Sequence, residues 1–161
     1  MYSKILVPLE CSTYDEAILT HVRALARVHG SALLIIHVAD GWAARNIHSL
    51  KLRESEEMHR DREYLEKVAD ELEGEGFAVD ALLASGDPAA EITAAAEREK
   101  CDLIAMSTHG HRWLSDLIYG SVANSVRHLS VVPVLLVRGG PTAANGPDWR
   151  RGDAAPGQPE S

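Results

Sequence analysis

Residues 101–138 read CDLIAMSTHGHRWLSDLIYGSVANSVRHLSVVPVLLVR. The stretch opens on an apolar run, Leu103 to Met106, that reads as a buried strand. A polar, glycine-containing loop follows from Ser107 to Tyr119. Gly120 and Ser121 then start a short helical pattern with Val122, Val126 and Leu129 on one face, and a second apolar run, Val131 to Val137, closes the stretch. Strand, glycine loop, helix and strand in that order set backbone N–H groups at a helix N-terminus, where an anion can sit. The Ser121 hydroxyl can cap that helix, and Gly120 lets a phosphate approach the backbone closely.

Upstream, the same alternation repeats. Ile5 to Leu9 predicts a first strand, and Thr13 with Glu16 predicts a capping box for the helix after it. Ile18, Val22 and Leu25 recur at helical spacing, and Gly30 ends that element. Ala32 to Val38 is a second strand, apolar on both faces until His37, which suits the middle of a covered parallel sheet. Residues 39–50 are irregular. A charged helix is expected from about Leu50 to Glu73, with Met58, Leu65, Val68 and Leu72 as its apolar stripe and Gly74 and Gly76 stopping it. Its charged face reads as a solvated one with i,i+4 pairs. Phe77 to Ala84 is a third strand. Gly86, Asp87 and Pro88 form a turn, with Asp87 as N-cap and Pro88 at the first position of a helix running to about Lys100.

Five strands alternating with four helices predict an α/β fold: an open five-stranded parallel sheet, doubly wound, in the order 3-2-1-4-5. Ligands of such sheets bind beyond the carboxyl ends of the strands where the winding reverses, here between strands one and four. The loop at Glu10 then faces the loop at Ser107 to Gly110.

The chain has 161 residues, enough for one domain with a sizeable core. Its aromatic content is only 5%, so the core must be mostly Leu, Val, Ile and Ala. The net charge is −8 and no run of Lys or Arg exceeds two, which argues against nucleic acid as a partner. One nucleotide is still allowed, because backbone amides can hold it. The N-terminus enters a strand directly, so no signal peptide is expected. The longest apolar run, Ala32 to Ile36, is too short for a membrane span. Cys11 and Cys101 form no CxxC, which fits a reduced, cytoplasmic setting. Residues 139–161 hold four of the seven prolines and five of the twelve glycines without hydrophobic period, so a disordered tail is expected after a domain at 1–138.

Ser107, Gly110, Gly120 and Ser121 follow the spacing small-x2-Gly-x9-Gly-Ser. This resembles the nucleotide-binding signature of the universal stress protein family, Gly-x2-Gly-x9-Gly-(Ser/Thr). The resemblance extends over residues 1–138 through KILVPLECS, LLIIHV, SGDPAAEI and VPVLLVR. It implies an adenine nucleotide alpha hydrolase-like fold that binds ATP or a related adenine nucleotide, with Mg alongside it, in stress-response signalling. Carried over by position, it places Pro8, Leu9 and Glu10 near base and ribose, and Val38 against adenine. Ser107, Gly110, Gly120 and Ser121 then surround the phosphates. Apart from the resemblance, His109 in the glycine loop is a candidate charged contact to a phosphate. Two positions depart from the pattern: Glu10 stands where the family has Asp, and Ser107 where it has Gly. The resemblance also implies a homodimer, and the apolar last strand, Val131 to Val137, is an edge that a second copy would cover.

Other readings compete. The two departures fit a nucleotide-independent dimeric interaction module of the same fold. Thr108-His109-Gly110-His111 resembles the HxGH of nucleotidylyltransferases, but that motif follows the first strand in those enzymes and the fourth here. His109 and His111 offer only two local ligands, so no metal site is expected from them. Cys11 precedes a helix start but has no second cysteine nearby for a redox pair, and Cys101 reads as a core or rim residue. Trp113, Leu114, Leu117 and Ile118 either anchor the glycine loop on the sheet or add to a partner surface. No Walker lysine, triad or paired carboxylates are visible, so no catalytic residue is assigned and any ATP hydrolysis is expected to be slow.

Overall fold

A computed structural model describes residues 1–40, 51–108 and 121–138. The elements run β1 (Lys4–Pro8), α1 (Asp15–His29), β2 (Ala32–Asp40), α2 (Lys51–Gly74), β3 (Val79–Gly86), α3 (Pro88–Arg98), β4 (Leu103–Ser107), α4 (Ser121–Leu129) and β5 (Val134–Val137). The strands form one parallel sheet in the order β3-β2-β1-β4-β5. This is the expected doubly wound arrangement.

Strand alternation explains the two layers. Ile5, Val7, Leu33, Ile35, Leu103 and Ala105 project to one face, which α1 covers with Ile18 and Val22, and α2 with Leu65, Val68 and Leu72. Leu6, Leu34, Ile36, Ile104 and Met106 project to the other, beneath Ile92 and Ala96 of α3 and Ala123 and Val126 of α4. Ile5, Leu6 and Val7 are all fully buried, so β1 must be an inner strand. The first two crossovers carry the chain to β3 on one side of β1, and α3 returns it to β4 on the other. The winding therefore reverses between β1 and β4.

Local chemistry fixes most boundaries. Gly30 adopts φ 66° and ψ 34° after α1, the left-handed conformation glycine takes without strain. Asp87 caps α3 by accepting from the Ala90 N–H at 2.9 Å, and Pro88 opens the helix.

Five expectations need correction. β2 runs on to Asp40, past its expected end at Val38, because Ala39 and Asp40 still pair with Ser85 and Gly86 of β3. The Thr13/Glu16 capping box does not form: Tyr14 is the N-cap of α1, in αR conformation and without a side-chain cap bond. The Glu16 carboxylate accepts instead from Thr20, one turn along the helix. Leu129 is 58% exposed at the end of α4, and Ala123 takes its place on the buried face beside Val126. β3 begins at Val79 because the N–H of Phe77 still donates to Leu72 O at 3.1 Å, closing the end of α2. β5 begins at Val134 because Ser130 Oγ accepts the Val132 N–H at 3.0 Å and Pro133 has no N–H to give.

Candidate functional site

The site expected from the winding lies at the carboxyl ends of β1, β2 and β4. β1 and β4 pair with Ile5 opposite Leu103 and Leu6 opposite Ile104. Continued toward the carboxyl ends, that register sets Ser107 level with Leu9. The helices that follow these strands, α1 and α4, cover opposite faces of the sheet, so Glu10 and Ser107 stand on two rims at the strand ends where the winding reverses.

The β1 rim is built from buried polar contacts. The Leu9 N–H donates to Ile36 O at 2.8 Å, while its side chain sits in the core. Asp15, buried at the first position of α1, turns its carboxylate back onto the loop. Oδ1 accepts from the Glu10 N–H at 2.9 Å and Oδ2 from the Ser12 N–H at 3.1 Å. The Tyr64 hydroxyl of α2 donates to Asp15 Oδ2 at 3.0 Å and lies 3.2 Å from Ser12 O. Burial pushes the Asp15 carboxyl above its usual range, against the pull of the N–H groups of Glu10 and Ser12. Burial, joined by the Asp15 charge, likewise pushes the Tyr64 phenol up. Glu10 itself is half-buried, with its Oε2 withdrawn from solvent. Cys11 follows with φ 57°, a conformation unusual for a residue with a β-carbon.

A second buried pair lies behind this loop. His37 of β2 is 5% exposed, and its Nδ1 is 2.8 Å from Leu9 O. Its Nε2 lies 3.3 Å from Oδ2 of Asp61 on α2, which is 3% exposed. Cys11 Sγ approaches the Asp61 carbonyl oxygen at 3.9 Å.

The β4 rim is made differently. Thr108 N–H donates to Val137 O at 2.9 Å, extending the β4–β5 pairing past Ser107. Ser121 opens α4, which is seated by the buried Ala123 and Val126.

The structure thus brings Pro8, Leu9, Glu10 and Val38 to neighbouring strand ends of the sheet, with Ser107 on the rim opposite Glu10. Pro8 and Ser107 are half-buried, whereas Leu9 and Val38 are buried. Ser121 stands at the start of α4. His109, Gly110 and Gly120 lie outside the described residues, as do His111, Trp113, Leu114, Leu117 and Ile118. The sequence reading missed Asp15, His37, Asp61 and Tyr64. Asp61 carried a signal, since it falls at helical spacing with Leu65, Val68 and Leu72 on the buried stripe of α2. Met58, placed on that stripe from sequence, is only half-buried. Burial raises the Cys101 thiol to about 11, in keeping with a core residue. Neither cysteine forms a disulfide. Among the described residues no helix is long and apolar enough to cross a membrane.

Comparison with known proteins agrees with this architecture. Universal stress protein MJ0577 of Methanocaldococcus jannaschii is 33% identical over 155 residues, spanning 86% of this chain and 96% of that protein. The solved structure of MJ0577 superposes with a TM-score of 0.79 at 31% identity, covering 88% of this chain and 99% of the other. Two more distant structures share the fold. A universal stress protein from Archaeoglobus fulgidus, solved in complex with dAMP, has a TM-score of 0.64 at 21% identity and covers 85% of this chain and 98% of its own. Another universal stress protein, solved in complex with cAMP, has a TM-score of 0.61 at 19% identity and covers 85% and 97%. The model of the universal stress protein family matches residues 1–138. With its sheet order, its reversal between β1 and β4 and this match over most of its length, the chain belongs to the universal stress protein family.

Proposed function

We propose that this chain is a cytoplasmic nucleotide-binding stress protein that holds ATP or a related adenine nucleotide between the β1 and β4 rims and acts in stress signalling. The observation that carries the reading is the meeting of three strand ends at the winding reversal, with α4 starting at Ser121, directly after the glycine loop. The dAMP and cAMP complexes of related proteins support an adenine nucleotide as the ligand class.

In this reading Glu10 holds the ribose hydroxyls through its carboxylate. Pro8 and the backbone of Leu9 border the base, and Val38 packs on adenine. Ser107 and Ser121 border the phosphates, with Gly110 and Gly120 assigned there by the sequence signature and His109 as a charged contact. Mg accompanies the phosphates as their counter-ion. β5 is a sheet edge whose Leu135 and Leu136 are 36% and 40% exposed, which supports a homodimer built through this strand. The family match bounds the domain at 1–138, and the tail expected at 139–161 lies outside the described residues.

Calorimetric titration with ATP tests the ligand. Saturable binding that Gly120→Val abolishes supports the reading. Absence of heat, together with no adenine nucleotide released on denaturing the purified protein, favours the nucleotide-independent dimeric module. Multiple turnover with pyrophosphate release points instead to nucleotidyl transfer. For the dimer, Leu135→Lys should sediment as monomer or aggregate, and a well-folded dimer of that variant refutes pairing through β5.

A further inference from the structure

Cys11, His37 and Asp61 come from three separate elements: the loop after β1, β2 itself and α2. One donor atom from each lies within 4.8 Å of the other two. We propose that Cys11 Sγ, His37 Nε2 and Asp61 Oδ2 form a binding site for a divalent d-block cation of the zinc class.

Four observations carry it. The first is the histidine's orientation. Leu9 O can only accept, so His37 Nδ1, 2.8 Å away, carries the ring proton and donates. That contact fixes the ring and aims Nε2 at Asp61. A backbone carbonyl on the far ring nitrogen is the usual outer partner of a metal-bound histidine.

The second is the spacing. Nε2 and Asp61 Oδ2 are 3.3 Å apart. Zinc held tetrahedrally at about 2.0–2.1 Å from N and O separates those two ligands by about 3.3–3.4 Å. A direct hydrogen bond between imidazolium and carboxylate is shorter, at about 2.7–2.9 Å.

The third is charge. His37 and Asp61 are nearly inaccessible to water. A neutral imidazole, a carboxylate and a thiolate sum to two negative charges, which a divalent cation cancels in a place where uncompensated charge is costly. Sulfur, nitrogen and oxygen together suit zinc and disfavour magnesium or calcium.

The fourth is Cys11. It occupies the left-handed region at φ 57°, where a residue with a β-carbon is strained, yet its sulfur reaches toward the buried pair. On metal binding the thiol gives up its proton and its contact with the Asp61 carbonyl. Sγ, within 4.8 Å of the other two donor atoms, then closes to the tetrahedral distance of about 2.3 Å from zinc. Cys11 is only half-buried, which gives an ion a route in.

The test uses the full chain, stripped with a chelator and titrated with Zn²⁺ against a chromophoric indicator. One equivalent is expected to bind tightly, and Co²⁺ in its place should give thiolate-to-cobalt charge-transfer absorption. Cys11→Gly removes the left-handed strain together with the ligand. It should therefore fold at least as stably without metal while its Zn²⁺ affinity falls by about 100-fold or more, beyond what loss of an outer partner alone causes. Cys11→Ser decides the matter if the glycine variant fails to fold, and Asp61→Asn should weaken binding independently. Absence of a tight equivalent, a cobalt complex without the thiolate band, or full affinity in the cysteine variants overturns the site. Surviving binding of that kind would belong to histidines elsewhere in the chain.

Discussion

The two rims of the crevice are held by different forces. On the β1 side, side chains do the positioning: Asp15 gathers the N–H groups of Glu10 and Ser12, Tyr64 braces Asp15, and His37 braces Leu9 O. On the β4 side, the described contacts include the pairing of Thr108 with Val137 O, through its N–H at 2.9 Å and more loosely its hydroxyl at 3.5 Å, and the apolar seat of α4 under Ala123 and Val126. A polar network fixes atoms to tenths of an ångström but is sensitive to charge. An apolar seat tolerates pH and sets only where the helix lies. The contrast fits the proposed site, in which the β1 rim would read a ribose and base and the β4 rim would offer backbone donors to phosphate.

The difference can be broken from either side. Asp15→Ala should have the largest effect. It strands two backbone N–H groups at a half-buried loop and leaves the Tyr64 hydroxyl only Ser12 O to donate to, at a cost of about 2–4 kcal/mol in denaturant unfolding. ATP affinity should fall with it, because Glu10 loses its anchor. Val126→Ala empties part of the α4 seat and should cost about 2 kcal/mol, with the same loss at pH 5 and pH 7. Equal pH sensitivity of the two variants would erase the distinction. Tyr64→Phe removes only the brace and should cost about 1 kcal/mol.

The smallest effect is the pH dependence of Asp15. Its carboxyl in the folded chain lies above the ordinary value of 3.8, so ionisation opposes folding. The stability this gives is fully present below 3.8 and is lost as pH rises through the raised folded value. Unfolding free energies of wild type and Asp15→Asn should therefore shift in favour of wild type as pH is lowered toward that window. A gap that moves the other way contradicts the assignment.

Much of this was legible in the sequence because the elements announce themselves locally. The uninterrupted apolar runs at Ile5–Val7 and Leu33–Ile36 gave inner strands, and Asp87-Pro88 gave a helix start that the structure reproduces. The β1 rim was less legible because its bonds join residues far apart in the chain. Asp15 accepts from the loop just before it, but Tyr64 arrives from an element 49 residues away. The Thr13/Glu16 pattern misled for a local reason: the Asp15 side chain folds back onto the loop and competes with the helix cap. Asp61 was hidden in plain composition, as one charge among many on a charged helix. Only its place on the stripe of Leu65, Val68 and Leu72 marks it as buried.

The central claim is that both rims close on one adenine nucleotide. Backbone amide NMR of the full chain, with and without ATP, tests it most directly. The account predicts that Glu10, Val38, Ser107 and Ser121 shift together along one saturation curve. Shifts confined to one rim, or gathered on a face away from the carboxyl ends of β1 and β4, would contradict it.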